Sequence, residues 1–113
     1  MHELSIVLSI VDTVEQAVRK EKAQTVQRIT LDIGNMSGIE MESFDFAWDS
    51  AIKNSVLEHA ERVVNHIPAM ATCIECETTF EKVEVYDACP HCGNFIHTFK
   101  SGKEMKIKSV LIA

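Results

Sequence analysis

The chain has 113 residues and is 46% hydrophobic, enough for one ordinary packed domain or for a small domain with a metal-stapled module. Its formal net charge of −6 has the wrong sign for a nucleic-acid binder, which usually presents a basic patch. A secretory signal needs a basic segment before its apolar stretch, but Glu3 precedes Leu4, and the apolar run that ends at Val11 is too short to span a bilayer. We therefore expect a soluble cytoplasmic protein with neither a membrane nor a nucleic-acid partner.

The first 68 residues predict helix, strand, helix and strand. Apolar residues recur at helical spacing from Leu4 to Lys20 and again from Met41 to Ile52. Alternation in VQRITLDIG predicts a strand that Gly34 closes, with one face made of Gln27, Ile29, Leu31 and Ile33. The segment NMSG has turn chemistry, and ERVVNHIP predicts a second strand that ends at its proline.

The amino-acid composition changes at residue 70, where a stretch rich in cysteine and turn residues begins, and the earlier pattern returns after Gly102. The stretch EMKIKSVLI then predicts a strand with Met105, Ile107 and Leu111 on one face, returning to the sheet that begins before residue 70. The predicted fold class is α+β: a small mixed α/β domain, with two helices on a three-stranded sheet, formed by residues 1–69 plus 101–113. Residues 70–100 form an inserted zinc-ribbon domain.

Two Cys-x-x-Cys pairs carry the insertion. Cys73 and Cys76 in CIEC are followed twelve residues later by Cys89 and Cys92 in CPHC. Four thiolates at this spacing converge tetrahedrally on one Zn²⁺, and the zinc supplies folding free energy that so small a segment lacks. We interpret the zinc as structural, with the strand-like residues of TTFEKVEVYD forming a hairpin between the pairs.

Two histidines near the cysteines leave a question open. His91 lies inside the second pair and His97 follows it, and either could replace a thiolate or do nothing. The insertion is also acidic, which argues against phosphate contacts and favours a protein partner. A thiol redox switch that loses zinc and forms Cys73–Cys76 bridges is a further alternative.

The N-terminus combines nitrogen donors. When histidine is residue 2, the Met1 amine, the His2 backbone nitrogen and the His2 imidazole can all reach one metal in a nearly planar arrangement. Such a set suits Ni²⁺ or Cu²⁺, and Glu3 could add an oxygen. The alternative is that Glu3 only complements the helix dipole and His2 is solvated.

Several stretches together resemble one known family. MHELSIVLSIVDTV, LDIGNMSGIE, CIEC, CPHCG and SGKEMKIKSVLIA occur in this order along nearly the whole chain. In this the chain is similar to the HypA/HybF family of hydrogenase maturation factors. The resemblance implies a nickel metallochaperone with a nickel-binding α/β domain and a zinc-ribbon domain, which helps to insert Ni²⁺ into the large subunit of [NiFe] hydrogenase and in some organisms supplies urease.

The resemblance also assigns roles to residues and implies partners. It makes His2 the essential nickel ligand, with the Met1 amine and Glu3 in the same motif and Glu40 in the vicinity of the nickel. It makes the four cysteines the zinc ligands, and it implies the HypB GTPase and the hydrogenase large subunit as partners. Some relatives carry a histidine after each Cys-x-x-Cys pair, whereas this chain has Glu77 and Gly93 there, so a ligand swap at zinc is not expected by analogy.

The sequence predicts a carrier rather than an enzyme, because no nucleophile–base constellation is visible. The competing hypothesis is a zinc-ribbon adaptor that docks proteins and has no nickel role. The edge strand after Gly102 is compatible with a monomer or a homodimer.

Overall fold

A computed structural model of the chain describes residues 2–113, so Met1 and its proposed amine ligand lie outside the described residues. The elements are α1 (His2–Lys20), β1 (Val26–Gly34), α2 (Met41–Ala51), β2 (Glu61–Ile67), β3 (Ala69–Cys73), β4 (Thr79–Lys82), β5 (His97–Ser101) and β6 (Met105–Ile112). They form two three-stranded sheets, ordered β2-β1-β6 and β4-β3-β5. The predicted α+β class, with two helices and a three-stranded sheet apart from the cysteine region, is confirmed.

The chain folds into two compact units. The first, which we call the helical unit, contains the chain up to Leu31, Ile39–Val64 and Ile107–Ala113. The second, the ribbon unit, contains Asp32–Gly38 and Asn65–Lys106. Neither α1 nor α2 has the length and apolar character that crossing a bilayer requires.

Side-chain contacts fix the strand directions in the first sheet. Arg28 bonds Glu61, and Asp32 bonds Asn65, with the same separation of 33 residues in both pairs, so β1 and β2 run parallel. The α2 helix makes the crossover that parallel strands need. The C-terminal Ala113 instead exchanges backbone hydrogen bonds with Thr25 at the start of β1, so β6 runs antiparallel to β1.

Helix α1 begins two residues earlier than the predicted Leu4. Its buried stripe follows helical spacing and packs in the helical unit together with α2, and it consists of Val7, Ile10, Val11, Val14 and Val18. Phe44 and Trp48 supply the matching buried face of α2. Because the helix already includes His2 and Glu3, both lie in its first turn.

Two expectations about strand faces are wrong, and the burial of one acidic residue was not predicted. Gln27 is exposed although it was expected to share a face with the buried Ile29. Asp32 is buried because its carboxylate accepts a 3.0 Å hydrogen bond from Asn65, which is a partner that alternation alone does not reveal. In β6 the alternation shifts by one residue after Ile107, so Leu111 is half exposed.

The ribbon sheet also differs from the expected hairpin. Strand β3, before the first cysteine pair, pairs antiparallel with both β4 and β5. Only Thr79–Lys82 of the TTFEKVEVYD stretch is a strand, and the rest is a loop. The buried Lys82 ammonium explains the loop, because it donates to the carbonyl oxygens of Val85 (2.7 Å) and Asp87 (2.9 Å).

One arginine joins α2 to β2 in the helical unit. The Arg62 guanidinium carbon lies 5.7 Å from the Phe44 ring centroid and 5.2 Å from that of Trp48, within the range of cation–π attraction. Its Nη2 donates to Asp45 at 2.8 Å, while its buried Nη1 has no hydrogen-bond partner among the described residues. The guanidinium is therefore held mainly by the aromatic pair and one carboxylate.

We expect Arg62→Ala to lower the free energy of unfolding by about 1–3 kcal/mol, because it removes both the aromatic contact and a charge-assisted hydrogen bond. Arg28→Ala is the matched control: the Arg28–Glu61 pair is also short, at 2.7 Å, but its side chains are 52% and 60% exposed. Its loss should cost less than about 1 kcal/mol. Urea denaturation of both variants checks this, and equal losses would contradict it.

Candidate metal sites

The four cysteine sulfurs converge in the ribbon unit. The Sγ atoms of Cys73, Cys76, Cys89 and Cys92 all lie within 4.8 Å of one another. Cys73 and Cys92 are 3.5 Å apart, and Cys76 and Cys89 are 3.6 Å apart, so none is disulfide-bonded. Among residues 2–113 this is the only cluster of three or more metal-ligating side chains.

The spacing of the sulfurs fits a zinc ion. Zinc–sulfur bonds are about 2.3 Å, so the edges of a ZnS₄ tetrahedron are about 3.8 Å long. The Cys73–Cys92 and Cys76–Cys89 sulfur separations, 3.5 and 3.6 Å, lie just inside this value. Cys73 and Cys89 are buried with Ala71 and Phe80, whereas Cys92 is exposed, so the cluster is part of the ribbon core with one sulfur at its surface.

The two cysteine pairs share one backbone conformation. In the first, Cys73 N donates to Thr78 O and Glu77 N donates to Cys73 O. In the second, Cys89 N donates to Asn94 O and Gly93 N donates to Cys89 O, at the same spacings. Each turn therefore aims its two sulfurs inward by the same hydrogen bonds. Glu77 and Gly93 close the two turns with positive φ, 61° and 79° respectively.

Hydrogen bonds and neighbouring thiols shift the pKa values of Cys76 and Cys92 in opposite directions. Hydrogen bonds from the Thr78 hydroxyl and backbone N–H lower the pKa of the Cys76 thiol from 9.0 to about 6. The Asn94 backbone N–H lowers the pKa of Cys92, but the neighbouring cysteines and burial outweigh it and raise that pKa to about 12. Like charges this close cannot all ionise alone, and a divalent cation removes that repulsion.

Neither nearby histidine belongs to the sulfur cluster. His91 is exposed in the second turn. The His97 ring packs edge-on against Phe80 and Phe99, with centroids 6.0 and 5.1 Å away, and its Nδ1 lies 2.9 Å from the Phe95 carbonyl oxygen. That aromatic packing gives His97 a role in the ribbon core.

The start of α1 meets the start of α2 in the helical unit. The Glu3 side chain is only 13% exposed, and its Oε2 lies 3.5 Å from His2 Nδ1 and accepts a 3.2 Å hydrogen bond from Glu40 N. That backbone N–H is the largest cause holding the pKa of Glu3 below its usual value. The structure thus brings together three of the predicted nickel-site residues, with His2 itself 61% exposed.

Glu40 is the N-cap of α2. Its carboxylate accepts hydrogen bonds from Glu42 N at 3.3 Å and Ser43 N at 2.8 Å, and the Ser43 bond is the largest cause of its lowered pKa. Its carbonyl accepts the first intrahelical bond, from Phe44 N. The cap satisfies two of the free N–H groups at the helix start. Glu40 thereby presents its backbone, and not its carboxylate, to Glu3.

A groove of about 610 Å³ lies beside these residues in the helical unit, and we call it the α1–α2 groove. Its lining combines carboxylates with apolar and small side chains: Glu3, Leu4, Glu40, Glu42, Ser43, Phe46, Ala47 and Ser50.

Sequence reasoning missed three supporting residues. Thr78 and Asn94 each follow the second cysteine of a pair by two residues, and aligning the two pairs on each other would have paired them. Arg62 carried no such signal, because its position over Phe44 and Trp48 depends on the fold.

Comparison with known proteins identifies the chain's relatives. A family model described as "Hydrogenase/urease nickel incorporation, metallochaperone, hypA" matches residues 1–112. The chain belongs to the HypA family. The resemblance drawn from the sequence is therefore confirmed, and with it the association with nickel and hydrogenase maturation.

The relatives within the HypA family cover essentially the whole chain. Hydrogenase maturation factor HypA of Parabacteroides distasonis is 42% identical over 112 residues, covering 99% of this chain and 97% of the relative. The HypA of Francisella philomiragia is 37% identical and covers 98% of each. The solution structure of the Ni metallochaperone HypA from Helicobacter pylori matches with a TM-score of 0.68 at 23% identity, over 97% of this chain and 96% of that one, which shows that the fold is shared.

The two cysteine turns generate a matched stability prediction. A Cβ at Gly93 would meet nothing within 4 Å, so Gly93→Ala should lose about 1–2 kcal/mol through the left-handed backbone alone. Glu77 already bears that strain, and Glu77→Gly should stabilise the zinc-loaded protein by up to about 1 kcal/mol. Chemical denaturation with zinc bound measures both changes. A stabilising Gly93→Ala, or a clearly destabilising Glu77→Gly, would contradict the shared-turn account.

Proposed function

We propose that the chain is a nickel carrier that binds Ni²⁺ at its N-terminus and helps to insert it into the large subunit of [NiFe] hydrogenase, with urease as a second possible recipient. Membership of a nickel-incorporation family supports the metal and the process. The observation that carries the site assignment is that α1 begins at His2, with Glu3 and Glu40 beside it.

The first turn of a helix is suited to supply backbone nitrogen ligands. The first four N–H groups of a helix have no carbonyl partner one turn earlier, so a metal can take the place of the His2 amide proton without breaking a helical hydrogen bond. The proposed ligands are the His2 imidazole and backbone nitrogen with the Met1 amine, and this nitrogen set suits Ni²⁺. Glu3 offsets the unfavourable helix dipole, and Glu40 acts through Glu3.

We assign Zn²⁺ to Cys73, Cys76, Cys89 and Cys92 as a structural ion, because four sulfur ligands leave no open coordination position. The proposed domains are a nickel-binding α/β domain, residues 1–69 plus 101–113, and a zinc-ribbon domain, residues 70–100. Free thiols of this kind persist in a reducing compartment, which favours the cytoplasm.

The proposed mechanism is ligand exchange and not catalysis. An exposed His2 leaves coordination positions that donors of a partner can enter, and nickel passes when those donors bind it more tightly. The partners we propose from family membership are the HypB GTPase and the hydrogenase large subunit. The chain itself acts as a monomer or a homodimer.

One observation favours the competing adaptor function. Three large apolar side chains next to the cysteine turns are exposed in the ribbon unit: Ile74 by 51%, Phe95 by 67% and Ile96 by 62%. Such a patch is typical of a protein-docking surface. An adaptor without a nickel role would bind partners here and be indifferent to changes at the N-terminus.

Nickel binding is tested on the untagged, zinc-loaded protein. We expect His2→Ala to abolish Ni²⁺ binding in isothermal titration while zinc content and circular dichroism stay unchanged, because the His2 side chain is 61% exposed and is not part of the buried stripe of α1. Residues added before Met1 should weaken binding too, since they convert the amine into an amide.

The control for this experiment is His59→Ala. His59 is 93% exposed and pairs only with Glu58 among the residues that the structure describes, so its loss should leave nickel affinity unchanged. If His2→Ala titrates like the wild type, the nickel assignment is wrong and the adaptor function becomes the better account.

Removal of zinc is expected to unfold the ribbon unit. Metal binding supplies much of the folding free energy of such small units. Chelation should therefore collapse the amide NMR signals of 65–106, whereas signals from the middle of α1 should persist. Cys89→Ser should reproduce the effect, with less than one zinc equivalent by elemental analysis. Dispersed ribbon signals in the metal-free protein would exclude this role for the ion.

A further inference from the structure

The α1–α2 groove combines an apolar floor with an acidic rim. Leu4 and Ala47 line it, and Phe46 stands at it with 76% of its surface exposed. An aromatic ring exposed to this extent gains little from burial in the chain's own core, which is typical of a ring that a binding partner covers. The groove therefore lacks an occupant that is at least partly apolar.

The charge of the residues at the rim indicates which charge the occupant should carry. Three carboxylates line the groove, those of Glu3, Glu40 and Glu42, and no lysine or arginine is among the lining residues. Glu3 and Glu40 already accept backbone hydrogen bonds, but the Glu42 carboxylate is engaged by no hydrogen bond or ion pair among the described residues. A segment carrying Lys or Arg would complement this rim.

A second copy of the chain fits poorly. In a two-fold interface the same patch meets itself, so the three carboxylates of one copy would face those of the other. Like charges facing each other across an interface are unfavourable, and each chain already carries a net charge of −6. This leaves a different protein as the occupant.

We propose that the α1–α2 groove docks a segment of the protein that exchanges nickel with this chain, a segment with one large apolar side chain flanked by Lys or Arg. The proposal rests on the proposed nickel function and names the surface where that partner binds. The apolar side chain packs on Phe46 and Leu4, and the basic side chain pairs with Glu42 or Glu3.

Docking there places the partner at the nickel site. Glu3 lines the groove, and its Oε2 is 3.5 Å from His2 Nδ1. A basic side chain that pairs with Glu3 draws the carboxylate away from the imidazole, which couples occupancy of the groove to the ligand environment of His2. The partner's own nickel ligands are then within reach of the exposed ring.

The test uses the full-length zinc-loaded protein and two probes, the purified HypB GTPase and the purified hydrogenase large subunit. We expect Phe46→Asp to weaken binding of at least one probe about tenfold or more, the loss typical of an interface anchor. Glu42→Gln should weaken the same complex less and reduce its dependence on salt concentration. Since Phe46 and Glu42 are not in the proposed nickel ligand set, nickel affinity should stay unchanged in both variants.

Phe95→Asp is the matched control, because Phe95 is also a largely exposed phenylalanine, at 67%, and lies in the ribbon unit. It should leave docking unchanged. Peptide arrays covering both probes give a second measurement: the peptides that bind the wild type but not Phe46→Asp should contain a large apolar residue beside Lys or Arg.

The proposal is overturned if Phe46→Asp binds both probes within twofold of the wild type, if only Phe95→Asp loses binding, or if the wild type binds neither probe. It is also overturned if sedimentation shows a homodimer that Phe46→Asp dissociates. Its failure is distinguishable from that of the nickel function, because a wild type that takes up nickel but binds neither probe contradicts the docking proposal alone.

Discussion

The hydrogen bond from Glu40 N to Glu3 Oε2 is the contact on which the proposed N-terminal nickel site depends. It ties the first turn of α1 to the start of α2 and satisfies the Glu40 N–H, which has no partner within α2. Glu40 can make it because its own carboxylate caps α2 and fixes its backbone in an extended conformation. The chain's first charged side chain is thus held by a helix that begins 38 residues later.

The proposed nickel ligand set depends on the place of His2 in the first turn of α1, where its backbone nitrogen has no helical hydrogen-bond partner. Glu3 compensates the positive end of the helix dipole at the position where a cation would otherwise be disfavoured. In the proposed function, a metal held there by few donors would remain exposed, which suits transfer to another protein better than storage.

The sulfur cluster differs from the proposed N-terminal site in the type of its donors and in their burial. Its four donors are soft, they come from side chains alone, and two of them are buried in the core of the ribbon unit. Its turns repeat one hydrogen-bond pattern, even though the first turn contains Glu77 where the second contains Gly93. The left-handed glutamate in an otherwise equivalent turn fits the proposal that metal ligation, and not local backbone preference, determines this conformation.

Local sequence patterns were sufficient for features that depend on spacing. The helix α1, the strand β1 and the Cys-x-x-Cys pairs all have short-range signals. Strand β1 spans the residues that the sequence predicts, whereas α1 begins two residues earlier and buries Ile10 while leaving Leu4 and Leu8 exposed. Burial of Asp32 and the shift in β6 were not predictable, since both depend on a neighbouring strand. The loop after β4 was missed for the same reason, because a lysine buried against carbonyl groups has no signature in a charge count.

The contacts among His2, Glu3 and Glu40 also depend on how neighbouring elements pack, and they bear on the proposed function. His2, Glu3 and Glu40 could each be assigned by resemblance, but the resemblance treats all three as neighbours of the metal. In the fold, the Glu40 carboxylate caps its own helix, and only the Glu40 backbone N–H contacts Glu3. Glu40 therefore positions Glu3, and the two carboxylates are not equivalent candidates for metal ligands. Under the proposed nickel function, a charge that arrives in the α1–α2 groove would act on His2 through Glu3, whose side chain is 13% exposed. Glu3, and not the proposed ligand His2 itself, would then connect docking with metal release.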